Sequence, residues 1–158
     1  ARYQEQNFFS SANSAVQWLE SQIHQTVRAF LQQVGVERMP SWSLFAWYNV
    51  NRYGDHHAPH THPKCYLSGT YYVRVPPAPA GVDDCRARPA CISFYDPRTA
   101  ANMVTAGAGP DARPAHTVLP SAGTLLMWPS PVQHYVHPNL SEELRISISF
   151  NVIVPIAG

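Results

Sequence analysis

Six of the eight histidines lie in two short clusters, His56, His57, His60 and His62 in one and His134 and His137 in the other. Neutral imidazole is a good ligand for iron, zinc, copper or nickel, and such clustering favours metal chemistry over chance. Residues two apart on a strand share a face, so His60 and His62 of the triplet His60-Thr61-His62 make half a metal site. His134, 72 residues beyond His62, can close it from another strand. Eleven positions after His134 comes Arg145, which opens the triplet Arg145-Ile146-Ser147. A guanidinium fork binds a carboxylate through two N–H bonds, and a serine hydroxyl adds a further donor. Together these residues describe a metal ion beside a small carboxylate. The blander reading is a set of solvated histidines in proline-rich loops next to an outer strand whose polar face meets water. It accounts for His60 and His62 more easily than for the Arg-x-Ser that accompanies them.

A scaffold must hold these groups, and composition says which kinds are available. The chain has 158 residues, 45% hydrophobic and 13% charged, with a net charge of +1. That is enough for one domain over 1–158 with a real core, and it argues against disorder and against a nucleic-acid-binding surface. No apolar run approaches the roughly 18 residues of a membrane span. The three cysteines, Cys65, Cys85 and Cys91, are too few for a disulfide framework. Cys85 and Cys91 could pair in an oxidising compartment, but free thiols are the simpler reading. The first residue is Ala1 rather than methionine, so a natural start and a targeting segment could have been removed.

The periodicities then place the motifs. Capping residues Ser10 to Asn13 precede Val16, Leu19, Ile23, Val27, Phe30, Leu31 and Val34, a spacing of three and four that predicts a helix over about 10–34, closed by Gly35. The period then changes to two. Strands are expected over about 42–53, 66–75, 91–95, 117–119, 124–128, 135–137 and 144–154, with Ser68-Gly69 marking a bulge or a close backbone approach. Residues 54–64 read as a polar approach rather than a strand. In the last strand Leu144, Ile146, Ile148, Phe150 and Val152 alternate with Arg145, Ser147, Ser149 and Asn151, so one face is greasy and the other polar. One helix followed by a β core over about 42–154 predicts a mainly β protein, an antiparallel jelly roll with the N-terminal helix packed on one sheet. Asn49, Asn51, Tyr66, Tyr72 and Asn151 lie on strands that should flank the site and are candidate pocket residues.

Five stretches, in order from about Trp47 to Asn151, carry a resemblance: His60-Thr61-His62-Pro63, Leu67 to Val73 (LSGTYYV), Phe94 to Arg98 (FYDPR), His134 to Asn139 (HYVHPN) and Arg145 to Asn151 (RISISFN). The chain resembles the 2-oxoglutarate and Fe(II)-dependent oxygenases of the double-stranded β-helix superfamily. The resemblance implies a jelly-roll core with iron at its wide mouth, His60 and His134 as ligands, Arg145 on the distal carboxylate of 2-oxoglutarate and Ser147 assisting. It further implies that O2 and 2-oxoglutarate are consumed to hydroxylate a C–H bond of a small molecule or a peptide side chain, with release of succinate and CO2. Loops 76–89 and 106–114 would select the substrate, and the cytoplasm, rich in Fe(II) and 2-oxoglutarate, would be the compartment. The superfamily usually carries His-x-Asp or His-x-Glu where this chain has His60-Thr61-His62. His62 then replaces a carboxylate, with Asp55 as its rival for the third ligand. Two other classes stay open: a three-histidine cupin-like metalloenzyme that does not use 2-oxoglutarate, and a non-catalytic metal-binding module.

Overall fold

The computed structural model describes residues 7–77, 91–98 and 115–155. Residues 78–90 and 99–114 take in Cys85, its pairing with Cys91 and most of the two loops read as substrate-selecting, so those expectations lie outside the described residues. A short 3₁₀ turn, Phe8–Ser10, leads into helix α1, Ser14–Gln33. The helix starts where Asn13 Oδ1 accepts the Ala15 N–H at 2.9 Å, four residues later than the capping run alone suggests. It ends in a Schellman motif: the Val36 N–H reaches the Leu31 carbonyl, the Gly35 N–H reaches that of Gln32, and Gly35 takes a φ of +83°. None of the helices described is long and apolar enough to cross a membrane.

Among the described residues eight strands follow: β1 Ser43–Asn51, β2 His57–His60, β3 Leu67–Arg74, β4 Ile92–Tyr95, β5 Ala115–Val118, β6 Leu125–Pro129, β7 His134–Val136 and β8 Arg145–Ile153. They form two antiparallel four-stranded sheets, ordered β1-β8-β3-β6 and β2-β7-β4-β5. The expected mainly β jelly roll with a helix on one sheet is what the chain forms.

Helix α1 buries Leu19, Ile23, Val27 and Leu31, one residue per turn on a single stripe. They pack with Ala46, Leu67, Ile148, Phe150 and Val152 on one face of the first sheet. Trp42 extends this contact, donating its indole N–H to His24 Nδ1 at 2.9 Å beneath the Arg28 guanidinium. The pleat sends the alternate residues of β1, β3 and β8 to the other face, where the second sheet covers them. Gly69 is needed on β3 because the Phe150 ring lies over it: a Cβ there would collide with that ring and with the Leu126 carbonyl. The close approach expected at Ser68-Gly69 is therefore real. The irregularity of β3 lies further on, between Tyr72 and Arg74 in the pairing with β8.

Candidate metal and carboxylate site

The second sheet contributes the histidines. β2 pairs with β7 so that His60 stands opposite His134, with an irregularity between His57 and His60. The expectation of a loop over residues 54–64 is corrected here: β7 recruits His57–His60 as a strand although Pro59 and the polar composition give it no strand pattern. His62 lies just past the end of β2, tied by its N–H to the Ser130 carbonyl at 3.2 Å. Ser130 in turn donates its hydroxyl to the Cys65 carbonyl, which pins the turn after β6 to the segment that follows the triplet.

One nitrogen from each of His60, His62 and His134 lies within 4.8 Å of the others. Metal–nitrogen bonds of about 2.1 Å put ligand atoms about 3 Å apart, so modest ring rotations bring all three onto one ion. Their protonation suits the role. Nδ1 of His60 lies 2.7 Å from the Ala58 carbonyl and Nδ1 of His134 lies 3.2 Å from that of Val132. A carbonyl oxygen can only accept, so each Nδ1 carries the proton and each Nε2 keeps its lone pair. Burial, with His60 beside it, pulls His62 down to about 4. Burial pulls His134 to about 4 as well, against the Val132 carbonyl and helped by the neighbouring imidazoles. Both rings are thus neutral at neutral pH, the form that binds metal. Asp55, the rival third ligand, is not part of this group; its carboxylate accepts the Arg52 N–H at 2.8 Å. Trp128 packs edge-on against His134 at 4.8 Å and Trp47 lies 6.0 Å from His62. Both tryptophans line the cavity rather than only the core.

Behind the histidines a cavity of about 460 Å³ runs between the sheets. Arg145, Ser147 and Ser149 of β8, Asn49 and Asn51 of β1, Thr70 and Tyr72 of β3 and His57 of β2 line it. Arg145 is 1% exposed. Its Nη1 donates to the His137 carbonyl at 2.9 Å, and its Nη2 has no partner. Burial lowers its pKa, but a guanidinium starts so high that it stays charged. Burial likewise raises Tyr72, against the pull of Arg145, so the phenol is neutral. Among the described residues no aspartate or glutamate lines the cavity. A buried cation with an unused N–H, in a cavity without an acid, is a binding position for an anion.

Other expectations resolve individually. Asn49, Asn51 and Tyr72 are in the cavity, as the strand parity predicts. Tyr66 is not: it precedes β3 and is 42% exposed. Asn151 shares the face of Arg145 and Ser147 but sits six residues further along β8, where its Oδ1 accepts from the Ser68 hydroxyl at 2.9 Å. His57, of the first histidine cluster, also lines the cavity, and burial, with the Arg145 charge and His60, lowers it to about 4. His137 is structural, its ring 2.7 Å from the Ser93 hydroxyl. Asp96 and Arg98 form an exposed turn closed by their own ion pair. Phe45 is 39% exposed, its ring 6.0 Å from that of Trp47.

A family model described as "Putative 2OG-Fe(II) oxygenase" matches residues 45–151. No curated protein matches the sequence. Among solved structures, a prolyl-4-hydroxylase from Pseudomonas putida superposes with a TM-score of 0.64 at 15% identity, over 98% of this chain and 72% of that one. A prolyl hydroxylase from Trichoplax adhaerens, solved with a peptide fragment of hypoxia inducible factor, gives 0.60 at 13% identity over 89% of this chain and 56% of that one. HygX from Streptomyces hygroscopicus, solved with nickel and 2-oxoglutarate bound, gives 0.52 at 8% identity over 74% and 60%. At these identities the likeness is one of fold, and the chain spans between about half and three quarters of these proteins' lengths.

Proposed function

The chain belongs to the 2OG-Fe(II) oxygenase family, whose cofactors are Fe(II) and 2-oxoglutarate, and from that membership we propose that its cavity holds Fe(II) on His60, His62 and His134 and 2-oxoglutarate on Arg145 and Ser147. The reaction is hydroxylation of a C–H bond of a small molecule or a peptide side chain. The observation that carries this reading is the unpartnered, buried Nη2 of Arg145 in the same cavity as three clustered imidazoles. Bound there, Fe(II) and 2-oxoglutarate supply the oxidation of C–H to C–OH by O2, with succinate and CO2 as co-products. The chain's own residues do the placing. His60 and His134 present Nε2 because their Nδ1 protons are held by carbonyls, Arg145 fixes the far end of the diacid, and the two sheets exclude water. HygX, with nickel and 2-oxoglutarate bound, supports the cofactor pair. The two prolyl hydroxylases, one with its peptide, support a peptide side chain as one substrate class. A cytoplasmic setting, where both cofactors are plentiful, fits this reading.

The test is an anaerobic titration of the metal-free protein with Fe(II) and then 2-oxoglutarate, watching for the visible charge-transfer band of a metal-bound keto acid. The band is expected in the wild type and lost in Arg145→Ala, which should still bind Fe(II). A variant that turned over 2-oxoglutarate normally would remove Arg145 from the site. One observation favours a second reading: the third side chain of the cluster is His62, a neutral group rather than a carboxylate, as in three-histidine cupin-like enzymes that bind substrate directly to the metal. Fe(II) binding without a band, and oxidation without 2-oxoglutarate, would select that class.

A further inference from the structure

We propose that Asn51 and Arg145 together form the clamp for the distal carboxylate of the diacid, so that Asn51 is a determinant of which cosubstrate the site accepts; this rests on the reading that the cavity takes 2-oxoglutarate. The register sets the two residues directly opposite each other on β1 and β8. Both side chains line the cavity, and both residues are 1% exposed. Each leaves one nitrogen unused, Nδ2 of Asn51 and Nη2 of Arg145. Buried polar atoms in folded proteins are nearly always paired. Two unpaired donors on directly opposed residues of one cavity wall therefore offer a position to one acceptor group with two oxygens.

The neighbouring row of the sheet shows why the clamp lies here and not one step along. That row sets Asn49 opposite Ser147, and Ser147 opposite Tyr72 on β3. The Asn49 amide nitrogen is already engaged, 2.8 Å from the Ser149 hydroxyl and 3.5 Å from that of Ser147. What Asn49 leaves unpaired is Oδ1, an acceptor. A carboxylate is repelled by an acceptor oxygen and drawn to the donor pair beside it. Both halves of the clamp are also held by one turn. The His137 carbonyl takes Arg145 Nη1 at 2.9 Å, and Asn139 Nδ2 donates to the Asn51 carbonyl at 3.0 Å. That turn follows β7, the strand that begins at His134. The carboxylate position and a metal-ligand position are thus fixed to the same short segment, which sets the length of diacid that spans them.

The probe is glutarate, a five-carbon diacid without the keto group, titrated into the metal-free full chain by ligand-observed NMR, with 2-oxoglutarate in parallel. Asn51→Leu should weaken both by tenfold or more. Asn51→Asp should abolish binding and raise the thermal midpoint, because its carboxylate occupies the place beside Nη2 and neutralises the buried charge. Wild-type affinity in a folded Asn51→Leu would overturn the clamp. Should that variant fail to fold, a folded Asn51→Asp that still bound glutarate would overturn it equally. If the Asn51 variants bind as wild type while Arg145→Ala does not, the clamp fails and the proposed function stands. If the wild type binds neither diacid, with or without Fe(II), both fall.

Discussion

His57, His62 and His134 share the cavity, and burial pulls each to about 4. In an unfolded chain a histidine titrates near 6.5. Above that pH the rings are neutral in both states and their burial carries no proton-linked cost. As the pH falls from 6.5 towards 4 the unfolded chain takes up protons that the folded one does not, so the metal-free protein loses stability. The ceiling is about 1.4 kcal/mol per pH unit per ring, and water at the cavity mouth lowers it for His57 and His62. The thermal midpoint of the metal-free protein should drop steadily between pH 7 and 5, more than in His134→Gln. A flat profile would mean that the rings protonate freely in the fold. The residue types were legible in the sequence: two clusters and an Arg-x-Ser named the three histidines, Arg145 and Ser147 as one group. Strand parity could say which face Tyr66 and Asn151 occupy but not how far along that face the cavity runs, and neither residue lines it. Clustering named His57 too, but nothing local says that its ring lines the cavity; that depends on a pairing with β7.

β2 shows the same limit at the scale of an element. His57-Ala58-Pro59-His60 has no alternation and contains a proline, so no periodic reading makes it a strand. Its partner and the turn beside it do. Asn139 is central to that turn: its N–H donates to the Asp55 carbonyl, its own carbonyl accepts from Gly54, and Nδ2 reaches the carbonyls of Asn51 and Glu143. Asn139→Ala leaves the buried Asn51 carbonyl without this donor, at about 1–3 kcal/mol, while the Glu143 carbonyl, on an exposed residue, can turn to water. Urea denaturation should show a loss in that range, and Co(II) affinity should fall as β2 loosens; unchanged affinity would mean that β7 alone holds β2. The helix and the long strands β1, β3 and β8 were legible because each carries a full period on one buried face. For β3 and β8 a second test is Gly69→Ala. It pushes a methyl into the Phe150 ring and should cost about 1–3 kcal/mol or more; a neutral effect would mean that the ring has room to swing away.

Taken whole, the molecule uses one sheet for two purposes. The faces of β1, β3 and β8 towards α1 hold the core, and the opposite faces line the cavity. Ile23→Ala, at a residue with no exposure, should cost about 2–5 kcal/mol while the surviving folded protein binds Fe(II) as before. A loss of metal affinity equal to the loss of stability would show that the two faces are not separable. That no described residue around the cavity is acidic has a further consequence. In the proposed site three neutral ligands would leave a divalent ion its full charge, in the same low-dielectric space as the Arg145 guanidinium. Each cation therefore makes the other's position less favourable, and a dianion relieves both. Metal and diacid should load cooperatively, each raising the other's affinity by the same factor as linkage requires. Calorimetric titration of Co(II) with and without saturating glutarate measures that factor, and added salt should shrink it.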